Sequence, residues 1–118
     1  MIGVVLVTHT DYGSRLLKAA EFIVGPQENC AFVSVDTSHE VDQTVALIKT
    51  SIEQMETGKG VLILTDMFGG TPTNLSLSFL GSHNVEVITG VNLPMLLKVF
   101  GDRNKELSEI AIPVQEAG

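Results

Sequence analysis

The sequence predicts one parallel α/β domain spanning residues 1–118, and two observations carry that expectation. Four short apolar runs rich in β-branched residues, Ile2–Val7, Ala31–Val35, Val61–Leu64 and Val85–Ile88, are each bounded by Gly, Asn, Asp or Thr. Amphipathic stretches separate them, at about Ser14–Val24, Val41–Met55 and Pro72–Leu80. Strands that are apolar on both faces belong to parallel sheets covered by helices, so the expected order is βαβαβαβ.

Each element has its own signals. The first strand runs into Thr8, His9, Thr10 and Asp11, and the first helix follows from about Ser14. The second strand ends at Asp36 and Thr37. Asp36 and Ser38 are expected to cap the second helix, Glu40 and Asp42 supply an acidic first turn, and Gly58 closes it. The third strand leads into Asp66-Met67-Phe68-Gly69-Gly70, after which Thr71 reads as an N-cap with Pro72 at the first helical position. Beyond the fourth strand, Leu93–Phe100 reads as a short helix opened by Pro94. Ile110–Val114 is apolar but contains Pro113, which cannot donate to a central ladder, so it is expected to be an edge strand. A lone edge strand needs cover, and pairing across a dimer interface would supply it.

Composition narrows the function classes. The net charge of -7, with only 7 Lys plus Arg, repels nucleic acid and anionic membrane surfaces and favours a basic protein partner. The single cysteine, Cys30, excludes an internal disulfide and any CxxC redox or zinc motif. The opening apolar run has no basic flank and is too short for a signal sequence or a span, so a cytoplasmic location is expected. Neither GxxxxGK[ST] nor GxGxxG occurs, and His39, His83, Asp36 and Asp66 lack the paired spacing of a zinc site. No cofactor and no metal are expected.

In open parallel sheets, ligands bind outside the carboxyl ends of the strands, where strand order reverses. That edge collects Thr8–Asp11, Asp36 and Thr37, Asp66–Thr71, and Thr89, Gly90 and Asn92. In a 2-1-3-4 order the first and third strands are neighbours. Asp66 then reaches His9, accepts its Nδ1 proton and leaves the Nε2 lone pair free for nucleophilic attack. Gly69, Gly70 and Thr71 lead into a helix, presenting backbone N–H groups and a hydroxyl to a phosphoryl group on that nitrogen. Alone, His9 reads as a strand-end residue and Gly69-Gly70 as a tight turn; their convergence on one edge favours phosphoryl chemistry. Arg15 reads as a solvated helix residue.

Two segments resemble the IIA domain of the mannose-type phosphotransferase system: Asp66-Met67-Phe68-Gly69-Gly70-Thr71-Pro72-Thr73-Asn74 and Gly90-Val91-Asn92-Leu93-Pro94-Met95-Leu96. The opening Ile2–Leu17 is similar to that family's first strand, active histidine and helix. The resemblance implies a three-layer α/β/α sandwich with a four-stranded parallel sheet, and a C-terminal antiparallel strand exchanged within a homodimer. It further implies that His9 is the phosphoacceptor, that Asp66 is its hydrogen-bond partner, and that Gly69, Gly70 and Thr71 form the phosphate cradle. Phospho-HPr would be the donor, and a IIB component on a separate protein the acceptor that serves a sugar permease. One position departs from the family, which commonly has Gly after the histidine where this chain has Thr10. That side chain either crowds a partner or lends the phosphate a hydroxyl. Two other roles use the same residues: a regulatory module whose binding depends on phosphorylation, and the phosphocarrier subunit of a dihydroxyacetone kinase.

Overall fold

The computed structural model describes residues 1–118. Its elements are β1 (Gly3–His9), α1 (Tyr12–Val24), β2 (Cys30–Val35), α2 (Val41–Met55), β3 (Val61–Thr65), α3 (Gly70–Leu77), β4 (Val85–Ile88), α4 (Leu93–Gly101) and α5 (Leu107–Ala117). The four strands form one parallel sheet in the order β2-β1-β3-β4. The expected strand order is therefore the one observed.

Strand alternation divides the core into two. Ile2, Val4 and Leu6 of the first strand region, with Leu62 and Leu64 of β3, pack on Ala20 of α1, Leu96 and Val99 of α4, and Ile110 and Val114 of α5. Val5, Val7, Val61 and Ile63 face the other way, onto Ile48 and Ile52 of α2 and onto Phe79. Both faces of β1 and β3 are dry, which is why these strands read as unbroken apolar runs. The chain steps from β1 out to β2 through α1, then crosses back to β3 through α2 on the opposite face. The β1/β3 junction is thus the point where the direction of winding reverses.

Several boundaries differ from expectation. The helix after β3 starts at Gly70 with Gly69 as N-cap, so Thr71 and Pro72 lie inside its first turn. Asp36 and Ser38 do not cap α2: the Ser38 N–H and hydroxyl both donate to Asp36 Oδ1 in a turn of their own. The α2 N-cap is Glu40, whose N–H donates to Gln43 Oε1 at 2.9 Å.

The largest correction is at the C-terminus. Ile110–Val114 forms no edge strand; it lies within α5, which includes Pro113. Leu107, Ile110 and Val114 recur at helical spacing and are all buried in the α4 face of the core. Burying three aliphatic side chains is worth about 1.5–3 kcal/mol each, more than the roughly 3 kcal/mol that an internal proline costs. As no strand forms there, the structure does not show the expected C-terminal antiparallel strand.

Candidate functional site

His9 is the last residue of β1 and Asp66 follows the last residue of β3, so strand adjacency alone brings them together at the reversal point. Asp66 Oδ2 accepts twice from the same residue: from the His9 backbone N–H at 3.1 Å and from the ring Nδ1 at 2.7 Å. A carboxylate can only accept, so Nδ1 carries the proton and the neutral ring keeps its lone pair on Nε2. Two bonds to one oxygen fix both the backbone and the ring plane of His9. The carboxylate is mostly buried, whereas the imidazole side chain remains 44% exposed.

The glycine pair meets that ring. Gly69 and Gly70 have φ of +77° and +76°, values that side chains rarely adopt. At Gly70 there is a second constraint: a Cβ would sit 3.2 Å from His9 Cε1 and 3.6 Å from Nε2. The Cε1–Nε2 edge of the imidazole therefore lies against bare backbone at the N-terminus of α3. The positive end of that helix and its unpaired N–H groups favour an anion there. At Gly69 an added Cβ would meet nothing, so only its conformation demands glycine.

A cleft of about 480 Å³ opens beside His9, lined by Asp36, Thr37, His39, Thr44, Thr71 and Leu75 among others. Of the residues named from the sequence, His9, Asp66, Gly70 and Thr71 converge, and Gly69 supplies the turn. Thr10 does not join the cleft lining; it is exposed and holds φ of +49°, with its N–H donating to the Val35 carbonyl at 2.9 Å. A β-branched residue in the left-handed region is strained. Arg15 pairs with Asp11 at 3.1 Å on the exposed face of α1 and lies apart from the cleft.

Two supporting contacts and one cleft residue lie outside the site read from the sequence. Thr8 is buried on the α1 face of β1, and its hydroxyl accepts from the Gly13 N–H at 2.7 Å, anchoring the helix that follows His9. The Tyr12 hydroxyl donates to the Val91 carbonyl at 2.9 Å, tying that helix to the loop after β4. His39 forms part of the cleft wall; Asp36, beside it, is held below the usual carboxylate range by its bonds from Ser38. The first depends on which face of β1 Thr8 occupies and the second on a contact 79 residues apart, and no local motif announces them.

The model of the family described as the PTS system fructose IIA component matches residues 3–112. The chain belongs to that family. It is 33% identical over 108 residues to the mannose-specific EIIAB component of the Escherichia coli phosphotransferase system, covering 91% of this chain and 33% of that protein. It is also 30% identical over 104 residues to the fructose-specific EIIA component of Bacillus subtilis, covering 87% and 71%. The chain thus spans about one third of the length of the mannose-specific relative it matches. Among solved structures, a PTS IIA protein associated with the fucose utilization operon of Streptococcus pneumoniae superposes with a TM-score of 0.83 at 27% identity, over 98% of this chain and 90% of that one. A mannose/sorbose-specific IIA subunit from Enterococcus faecalis reaches a TM-score of 0.89 at 24% identity, over 99% and 89%, and speaks for the fold. The phosphotransferase IIA domain read from Asp66–Asn74 and Gly90–Leu96 is the family found. No helix is long and apolar enough to cross a membrane.

Proposed function

We propose that this IIA-family chain is a cytoplasmic phosphoryl carrier that takes a phosphoryl group onto His9 Nε2 from phospho-HPr and passes it to a IIB component. Family membership supports a carrier role in a sugar phosphotransferase system. The single observation that carries the residue assignment is the 2.7 Å contact between His9 Nδ1 and Asp66 Oδ2, with the opposite edge of the ring against Gly70. In the transfer, the Nε2 lone pair attacks phosphorus while the donor's nitrogen–phosphorus bond breaks and its electron pair returns to the donor imidazole. Nδ1 keeps its proton, and Asp66 stabilises the positive charge that develops on the ring. The N–H groups at the start of α3 and the Thr71 hydroxyl offset the charge of the phosphoryl oxygens. Return of the phosphoryl group to an incoming nucleophile runs the same step backwards.

Docking is supported by the rim. Met67 and Phe68 are exposed beside the glycine pair, and Asp11 and Asp36 add negative charge, a combination that suits a partner with an apolar centre and basic surroundings. A homodimer is proposed as well, supported by exposed Phe22, Ile23 and Phe32 along the open edge at β2. Light scattering on the purified protein should give twice the monomer mass.

The assignment is tested by incubating the protein with phosphoenolpyruvate, enzyme I and HPr and reading intact mass. One acid-labile phosphoryl group is expected on the wild type and none on His9→Ala. A phosphoryl group that persists in His9→Ala removes His9 from the reaction.

A further inference from the structure

We infer that Thr73 is a positioning residue that locks Asp66 and the phosphate cradle into one unit, with Thr65 as its buried partner. The inference rests on the reading of His9 and Asp66 given above. Thr73 Oγ1 lies 2.6 Å from the Met67 carbonyl oxygen and 2.7 Å from Thr65 Oγ1. A hydroxyl has one proton and a carbonyl can only accept, so Thr73 donates to Met67 and accepts from Thr65. The direction of both bonds is therefore determined.

The placement of these groups gives the pair its role. Thr65 ends β3 and Met67 is two residues on, so the Thr73 hydroxyl holds the chain on both sides of Asp66. Thr73 itself belongs to α3, the helix that begins with Gly70 against the His9 ring. One oxygen atom thereby ties the strand end that aims the carboxylate to the helix whose N-terminus receives the phosphoryl group. Thr65 is 0% and Thr73 1% exposed, so both hydroxyls and the bond between them are shielded from water. A third tie runs from the Thr65 carbonyl, which accepts from the Val91 N–H at 2.8 Å. Without the hydroxyl at 73, the Met67 carbonyl loses its donor and residues 66–69 gain freedom relative to α3. A displacement of about 1 Å at a reacting centre costs on the order of a hundredfold in rate, so small freedom here matters.

The test compares Thr73→Val, Thr73→Ser and Thr65→Val in the unphosphorylated and reacting protein. Imidazole nitrogen and Nδ1–H signals of His9, read by 15N NMR, report the Asp66 bond without any transfer reaction. Single-turnover transfer from phospho-HPr reports the reaction. Thr73→Val should weaken the Nδ1–H signature and slow transfer about tenfold or more at saturating donor, with donor affinity little changed. Thr73→Ser should restore both. Thr65→Val should shift both in the same direction by less, and as a β-branched exchange within a strand it keeps the test available if Thr73→Val does not fold. Folded valine variants with wild-type His9 signals and rates overturn the inference, as does a serine variant no better than valine. If the wild type takes no phosphoryl group, the carrier reading fails while the NMR comparison still judges the positioning role.

Discussion

The two ends of the sheet treat polar groups in opposite ways. At the amino-terminal end, Arg103 is 4% exposed and its guanidinium donates to the carbonyls of Glu28, Ile2 and Asn29 at 2.5, 2.6 and 3.0 Å. The Glu56 carboxylate nearby accepts from the N–H groups of Gly58 and Gly60 at 2.8 Å each. Polar groups there are spent on closing the chain. At the carboxyl end, His9 Nε2 has no partner within the chain and Gly69 and Gly70 keep backbone bare beside the ring; a buried unpaired atom does not separate the two ends, since Asp66 Oδ1 and Arg103 Nε both lack a partner. The same sheet is clamped by a buried guanidinium at one edge and left open around His9 at the other, the edge proposed for transfer. Damage to the first should unfold the protein, and damage to the second should spare the fold and stop transfer.

Arg103→Met should give the largest effect on stability. It strips three carbonyls of a charged donor and should cost about 3 kcal/mol in urea unfolding, while the folded fraction still accepts phosphoryl groups on His9. A melt equal to wild type would remove the seal from the account.

The glycine pair sharpens the contrast from the other side. Gly69→Ala and Gly70→Ala each force a side chain into positive φ, at a cost of about 1–2 kcal/mol. Only at Gly70 does the new methyl group also meet His9, so only Gly70→Ala should slow transfer by more than tenfold in the folded protein. Equal transfer rates in the two variants would show that the ring does not depend on bare backbone at 70.

The sealed edge should also carry a pH signature. Burial pushes the Cys30 thiol up from 9.0 to about 12, against the pull of the Arg103 charge. The folded chain therefore holds this proton after an unfolded cysteine has lost its own. The contribution is complete below about 9 and is lost as pH rises toward about 12. Between pH 7 and pH 10, wild type should lose about 1 kcal/mol of stability relative to Cys30→Ala, read from paired urea curves.

The smallest expected effect is at Thr10, whose φ of +49° sits next to His9. Thr10→Gly exchanges left-handed strain of about 1–2 kcal/mol for the greater unfolded-state entropy of glycine, leaving a net gain of about 0.5 kcal/mol. A loss of stability would mean that the threonine side chain makes contacts that outweigh its strain.

What could be read in advance follows the range of the signal. Four strands were legible because burial on both faces leaves short apolar runs between Gly, Asn and Asp, and their order followed once winding had to reverse beside His9. The meeting of His9 with Asp66 and Gly70 was legible because all three lie in contiguous motifs at the ends of neighbouring strands. Ile110–Val114 was misread since Pro113 argued against a ladder, while the helical spacing of Leu107, Ile110 and Val114 pointed to the true element. The Thr65–Thr73 bond and the Arg103 clamp were out of reach, because they depend on which face of β3 is turned to α3 and on contacts 74 to 101 residues apart. Thr10 stood out as a departure from the family, but its left-handed backbone became visible only in the fold.

The central claim is that Asp66 holds the Nδ1 proton so that the reaction occurs at Nε2. Phosphorus–nitrogen coupling in the 15N-labelled, phosphorylated protein tests it most directly. A single phosphohistidine is expected at His9, with phosphorus bonded to Nε2 and Nδ1 still protonated. Phosphorus on Nδ1, or on any residue other than His9, would contradict it.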